Sequence, residues 1–172
     1  YEKSAENGNS YGMLHLGALY EMGEDVEQNL QIAAEWYRKS AEAGNSEAMF
    51  NLAYAYEYGE GVTQSDVKAK EWYEKAAYTG LAAAECRMGG YCFDEGDYAK
   101  ARFWYKRAAD RGNGEALNMQ GILRSSEEYG LHNDRKAVEY YWKSAEAGYG
   151  WGMYNLARCY ENGKGIAKDF DS

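Results

Sequence analysis

The 172-residue chain has no proline, three cysteines, two histidines and few aliphatic side chains: 10 Leu, 3 Ile, 4 Val and, with them, 4 Phe. With a formal net charge of −9, that shortage by itself describes a disordered chain. In place of the missing aliphatics stand 25 alanines, 18 tyrosines, five tryptophans and six methionines. Alanine allows close helix packing with little side-chain entropy to lose, and each aromatic ring buries a large area. If the aromatics recur at regular spacing, the chain has a core, and they do. The absence of proline is compatible with uninterrupted helices.

Other absences exclude whole classes of function. There is no run of 18 apolar residues and no basic segment leading into an apolar one, so the sequence contains no membrane span and no signal peptide pattern. Because the first residue is Tyr1, a processed or trimmed N-terminus stays open. A pI near 4.8 argues against binding a phosphate backbone and makes a partly basic partner electrostatically easier. His15 and His132 have no second ligand at metal-site spacing, so no metal and no cofactor is expected. Acidic residues are too plentiful for any pair of them to signal general acid–base catalysis, and the chain is expected not to be an enzyme. Cys86 and Cys92 share a helix about 9 Å apart in rise, beyond disulfide reach. Free thiols, with Cys159 the third, and the lack of an Asn-x-Ser/Thr sequon favour a cytoplasmic location over a bacterial periplasm.

What is present is a repeat. Tyr37-Arg38-Lys39-Ser40-Ala41 returns as Tyr73-Glu74-Lys75-Ala76-Ala77, Tyr105-Lys106-Arg107-Ala108-Ala109 and Tyr141-Trp142-Lys143-Ser144-Ala145. Tyr1-Glu2-Lys3-Ser4-Ala5 is the same phrase with its front missing. The tyrosines step by 36, 36, 32 and 36 residues. Seven positions after each comes a glycine: Gly8, Gly44, Gly80, Gly112, Gly148. Nine further on stands a small residue: Gly17, Ala53, Gly89, Gly121, Ala157.

Each unit reads as two helices. Ala48, Leu52, Ala53 and Tyr56 fall on one helical stripe, and Ala69, Trp72, Tyr73, Ala76 and Ala77 on another. The Gly44-type glycine ends the second helix in the left-handed region, and the small residue lets the paired helix approach. Gly59-Glu60-Gly61-Val62 and Gly163-Lys164-Gly165-Ile166 are turns, followed by Ser65, Asn133 and Asp169 as N-caps. One such pair cannot bury its stripe alone, so the predicted fold is all-α, a right-handed α-α superhelix of about five helix pairs with incomplete first and last units. The expected organisation is one domain, 1–172: a half-unit 1–8, units 9–44, 45–80, 81–112 and 113–148, and a partial unit 149–172. Both ends fall inside a unit, which points to a segment of a longer array whose cut ends could associate end to end.

The pattern small-x3-Leu-Gly-x2-Tyr, then Gly-x-Gly-Val, then Lys-Ala-x2-Trp-Tyr-x-Lys-Ala-Ala-x2-Gly resembles the Sel1-like repeat, a relative of the tetratricopeptide repeat. The second unit carries it as Ala48, Leu52, Ala53, Tyr56, Gly59, Gly61, Val62, Lys68, Ala69, Trp72, Tyr73, Lys75, Ala76, Ala77 and Gly80. The third unit departs from it with a loop four residues shorter, Phe93-Asp94-Glu95-Gly96-Asp97-Tyr98. The resemblance implies a scaffold or adaptor that assembles other proteins, with the first helices lining a concave surface.

On that surface the expected protein-binding residues are Tyr11, Leu14, Phe50, Tyr54, Tyr58, Phe93, Asn118, Trp151, Tyr154 and Arg158. The aromatics and Arg are the types that concentrate interface energy, and Arg158 could hold a carboxylate. Packing between repeats is the competing reading for the same rows. Trp142 stands where Arg38, Glu74 and Lys106 stand; coverage by the adjacent loop is preferred to an open patch. Gln120 and Arg124 occupy core positions and need partners. A local helix shift, an Arg124 pair with Glu127 or Glu128, or a buried polar ligand site would each answer that. The function expected is a peptide- or protein-binding scaffold, with no nucleic acid or membrane partner. The alternatives are a small-molecule or cell-wall-fragment binder, and a spacer or oligomerisation arm of a longer protein.

Overall fold

The computed structural model describes residues 2–166, apart from the side chains of Glu2 and Glu6. Among them are ten α-helices: α1 (Glu2–Glu6), α2 (Ser10–Met22), α3 (Leu30–Glu42), α4 (Ser46–Tyr58), α5 (Asp66–Tyr78), α6 (Ala82–Asp94), α7 (Tyr98–Asp110), α8 (Gly114–Ser125), α9 (Asp134–Glu146) and α10 (Gly150–Asn162). A single 3-10 turn, Glu127–Tyr129, lies between α8 and α9, and there is no strand among the described residues. Even-numbered helices are the first helices of the repeats and odd-numbered ones the second. The chain divides within α6 into two compact units, residues 1–84 and 85–172.

Caps set the helix ends. Asn9, Asn29, Asn45 and Ser65 in the first unit, and Asp97, Asn113 and Asn133 in the second, each accept a hydrogen bond from the backbone N–H three residues on. Ser65 and Asn133 thus cap as the sequence predicts, while Asp169 lies outside the described residues. Gly23, Gly59 and Gly163 close first helices in the left-handed region. The second glycine of each Gly-x-Gly turn has an additional reason to be there. Gly61 (φ +70°) lies directly on the backbone at Leu30, and a Cβ on Gly165 (φ +76°) would sit 2.5 Å from the Asp134 carbonyl oxygen. The turn therefore presses against the start of the preceding second helix, a contact only glycine permits.

Pairing depends on the small residue at the middle of each first helix. A Cβ on Gly17 would come within 2.5 Å of Tyr37, and one on Gly121 within 2.5 Å of Tyr141. The rings lie flat against helix backbone, which is how so few aliphatics build a core. In the first unit Leu14, Ala33, Tyr37, Ala41, Ala48 and Leu52 form it; in the second, Ala137, Tyr141 and Cys159 form a cluster backed by Leu156 and Ile166. Buried serines tie the layers: Ser40 Oγ donates to the Ser10 carbonyl at 2.7 Å and Ser144 Oγ to the Gly114 carbonyl at 2.6 Å.

Candidate partner-binding surface

The predicted binding residues separate into three groups. Leu14 and Asn118 are buried, which corrects their expected place on the presented face. Leu14 packs with Ala48 and Leu52 of α4, and Asn118 Oδ1 accepts from Asn155 Nδ2 of α10 at 2.9 Å. That row points away from the second helix, but the next first helix covers it. Phe50 and Phe93 are half-buried. Phe50 meets Tyr73 edge-on at 5.2 Å, and Phe93 closes a ring cluster with Tyr98 and Tyr129 at 5.4 and 5.5 Å. Tyr11, Tyr54, Tyr58, Trp151, Tyr154 and Arg158 are exposed. Tyr54 and Tyr58 stack at 4.4 Å. Trp151, with 62 % of its surface open, meets Tyr154 edge-on at 5.6 Å, and the Arg158 guanidinium lies 5.9 Å over the Tyr154 ring.

Beside that second group α8 and α10 enclose an open pocket of about 250 Å³. Ile122 and Ser125 come from α8, Tyr141 from α9, and Asn155, Arg158, Cys159 and Asn162 from α10; Lys164 in the following turn completes it. Lys164 Nζ donates to the Ser125 carbonyl at 2.8 Å and sits 3.4 Å from Asp134, behind the pocket wall. The lining holds two cations and no carboxylate. Burial raises the Tyr141 phenol, opposed by its hydrogen bond to Ser125 and by Arg158; burial raises the Cys159 thiol, opposed by Lys164.

The first unit has the same geometry with other groups. Tyr37 Oη donates to Glu21 Oε2 at 2.6 Å and Tyr73 Oη to Glu57 Oε2 at 2.7 Å. Burial first, then the Glu21 carboxylate, holds the Tyr37 hydroxyl protonated far above its ordinary range. The position of Glu21 and Glu57 is taken by Phe93 in the third repeat and by Ser125 in the fourth.

Gln120 and Arg124 satisfy each other and their surroundings. Gln120 Nε2 donates to the Arg102 carbonyl at 2.8 Å. Arg124 Nη1 donates to the Gln120 carbonyl at 3.0 Å and to Gln120 Oε1, and its guanidinium covers the Tyr140 ring at 4.6 Å. The expected pairing of Arg124 with Glu127 or Glu128 is thus replaced by one along its own helix, and neither residue has a buried side-chain polar atom without a hydrogen-bond partner. Trp142 is corrected in the other direction. It is 53 % exposed and, with Val138, Leu156, Tyr160 and Ile166, lines an open apolar pocket of about 230 Å³.

Glu85 was not singled out by the sequence reasoning. It is fully buried (0 % exposed), with Oε1 2.9 Å from Arg107 Nε and Oε2 3.5 Å from Arg111 Nη1. The signal lay in the columns of the repeat. Glu85 stands where Met13, Met49, Leu117 and Met153 stand, and Arg111 where Ala43, Thr79 and Ala147 stand. A buried carboxylate and its countercharge entered the same repeat together. All three cysteines are buried, and none forms a disulfide among the described residues.

A chain of helix pairs that repeats its anchors in register is a helical-repeat protein. The Sel1 repeat model matches residues 10–45, 46–80, 82–113, 122–149 and 152–172, and the chain belongs to that family. It resembles the crystal structure of a Sel1 repeat protein from Oxalobacter formigenes, with TM-score 0.88 and 38% identity over 94% of this chain and 66% of that one. It also resembles a protective antigen present in uropathogenic Escherichia coli strains with an SLR fold: TM-score 0.90, 33% identity, 98% of this chain and 37% of that one. Among curated proteins, DAP3-binding cell death enhancer 1 of Rattus norvegicus is 36% identical over 64 residues, 37% of this chain and 12% of that protein. The chain thus spans just under two thirds of the Oxalobacter structure and about an eighth of the rat protein. The fold class expected from the repeat, an all-α solenoid of helix pairs, is that of these bacterial structures. Sel1 repeat proteins generally act as protein-interaction scaffolds, and the fold is typically non-enzymatic. No helix among the described residues is long and apolar enough to cross a membrane.

Proposed function

We propose that this chain is a non-enzymatic interaction module that binds a peptide or a segment of another protein on the exposed surface of its first helices. The observation that carries this reading is the Trp151–Tyr154–Arg158 group, three side chains of the kinds that dominate interface energies, held side by side on one rigid helix. A preformed aromatic pair has less conformational freedom left to lose on binding, which lowers one of the costs of association. The Tyr54–Tyr58 pair offers a second, separate patch on α4. The small-ligand alternative is less well supported, because the clefts on this face, about 250 Å³ between α8 and α10 and about 480 Å³ beside Trp151 and Tyr154, are open to solvent and do not enclose a ligand.

The test is selection of a random peptide library on the purified chain, alongside a Trp151→Ala, Tyr154→Ala variant and a Tyr54→Ala, Tyr58→Ala variant. All four side chains are exposed, so circular dichroism should show both variants folded. Peptides sharing a motif should bind the parent and lose about tenfold or more on the Trp151 variant. Equal binding to parent and both variants would place the site elsewhere, with the apolar pocket at Trp142 next. No enrichment on the parent would remove the peptide-binding reading in favour of a spacer.

A further inference from the structure

The pocket between α8 and α10 is a place in the second unit where the repeat departs from its own chemistry. In the α2–α4 cleft, the equivalents of Ser125 and Lys164 are Glu21 and Glu60, and the equivalent of Arg158 is Tyr54. Two carboxylates have been exchanged for one hydroxyl and one ammonium, and a ring for a guanidinium, within a chain of net charge −9. At Arg158 and Lys164 the fold does not require this exchange, because α4 and α10 both end in a left-handed glycine, Gly59 and Gly163. At Ser125 the backbone itself differs: α8 ends in the extended Ser126 and a 3-10 turn where α2 ends in the left-handed Gly23, and Tyr141 keeps a hydrogen-bond partner in Ser125. Packing does not require it either, since Arg158 is exposed and its guanidinium rests only loosely, at 5.9 Å, over Tyr154.

We infer that this pocket is a carboxylate-binding subsite, and that the partner segment carries an acidic group next to the residue that packs on Trp151 and Tyr154. The inference rests on the peptide-binding reading above and deepens it. Arg158 supplies a planar fork of donors suited to the two oxygens of a carboxylate. Lys164 is held at the opposite wall by the Ser125 carbonyl at 2.8 Å, so its charge is fixed in place before any ligand arrives. Asn155 and Asn162 add amide groups to the lining without adding charge. Asp134 neutralises part of the Lys164 charge from behind, at 3.4 Å, which leaves Arg158 as the dominant cation facing the opening. On a chain of net charge −9, a local pair of cations with no carboxylate in the lining favours an acidic group at this position, so the pocket sets register as well as affinity.

The experiment uses two random dodecapeptide libraries, one displayed with free C-termini and one with the variable segment internal. They are selected on the whole chain and on Arg158→Gln and Lys164→Gln variants. The parent should enrich Asp or Glu at a fixed distance from an apolar anchor in the internal library, or a free C-terminus at that place in the other. The two libraries thereby tell a side-chain carboxylate from a terminal one. Synthetic copies of the winners should bind Arg158→Gln roughly ten- to hundredfold more weakly, as expected for losing a charge-assisted hydrogen bond, and Lys164→Gln less so. Replacing the selected Asp or Glu by Asn or Gln, or amidating the selected terminus, should cost the parent the same factor and cost Arg158→Gln almost nothing. Winners without a fixed carboxylate that still depend on Trp151 would overturn the subsite and leave the peptide-binding reading standing. Competition by inorganic phosphate at concentrations where acetate has no effect would overturn the carboxylate assignment. An absence of any winners would remove both readings.

Discussion

Between α2 and α4, Tyr37 donates to Glu21, Tyr54 and Tyr58 meet ring to ring at 4.4 Å, and Glu60 follows in the turn. Between α8 and α10, Tyr141 bonds Ser125, Arg158 and Asn162 stand where the stacked tyrosines stood, and Lys164 follows in the turn. The backbone positions are the same repeat positions in both. In the first cleft Glu21 and Glu60 push the phenol of Tyr37, already raised by burial, further up. The second cleft is an open pocket whose cations oppose the rise that burial imposes on Tyr141 and Cys159. The difference teaches that the repeat fixes the tyrosine and the small residue, while the cleft side chains are free to change sign. The two clefts differ in the columns that the fold does not need.

The two units also differ in how they hold their second helices, and breaking those contacts should give the largest effect on stability. Lys75 in the first unit only covers Trp72, at 3.8 Å from the ring centre, whereas Arg107 in the second faces the buried Glu85 at 2.9 Å. Arg107→Met with Arg111→Ala strands a carboxylate that is fully buried, which should cost about 3 kcal/mol. Lys75→Met should cost under ~1 kcal/mol, the value of an exposed cation–π contact. Adding Glu85→Met to the double variant returns the residue type of Met13 and Met49 and should recover most of the loss. Urea denaturation of the three variants beside the parent checks this; a Glu85→Met addition that destabilises further would show that the carboxylate has another partner.

A smaller effect separates the two glycine–tyrosine contacts. Alanine is accepted at Ala53 in this same column, fully buried near the equally buried Tyr73. At Gly17 and Gly121 a new Cβ would meet the ring at 2.5 Å, so the ring must retreat. Tyr37 is anchored by a short hydrogen bond to the Glu21 carboxylate, and Tyr141 by a neutral one to Ser125. Gly17→Ala should therefore lose about 1–2 kcal/mol to overpacking. Gly121→Ala should come out near neutral, because the gain of roughly 1 kcal/mol in helix propensity offsets the shift. Thermal melts that rank the two in the opposite order would refute the anchoring argument.

The sequence carried the architecture because repeats multiply weak signals. Tyr37, Gly44 and Ala53 mean little singly, but their return in register leaves few folds to consider, and Ser65 and Asn133 cap where the spacing put them. The surface was less legible. Leu14 and Asn118 lie on the side of the first helix away from its own partner, and helical periodicity places them in solvent. Only the neighbouring first helix, which a single unit's pattern cannot show, covers them. Trp142 failed for the converse reason: its column is charged, and a loop was expected to cover the exception. Glu85 was visible in principle as a column outlier, but a lone acidic residue on a helix resembles a solvated one until its two arginines are read with it.

The smallest expected effect sharpens the contrast at the helix caps. Every capping residue named in the first unit is Asn or Ser, which does not titrate, whereas α7 in the second is capped by Asp97. Its Oδ1 accepts the Lys100 N–H at 3.0 Å and its Oδ2 lies 2.8 Å from Lys100 Nζ. The side-chain hydrogen bond to Lys100, then the backbone one, holds the carboxyl below its ordinary range. A carboxyl with a lowered folded-state pKa stabilises the folded form fully above the unfolded-state value of about 3.9, and that contribution is lost as pH falls through the lower folded-state value. Acid should therefore loosen the start of α7 before the Asn-capped starts of α3 and α4. Amide exchange at Lys100 and Ala101, followed from pH 6 downwards, should accelerate relative to Ile32 and Ala48, and the acceleration should vanish in Asp97→Asn. Asparagine preserves the capping acceptor but not the charge, so an Asp97→Asn chain that still loosens with acid would trace the effect to another carboxylate.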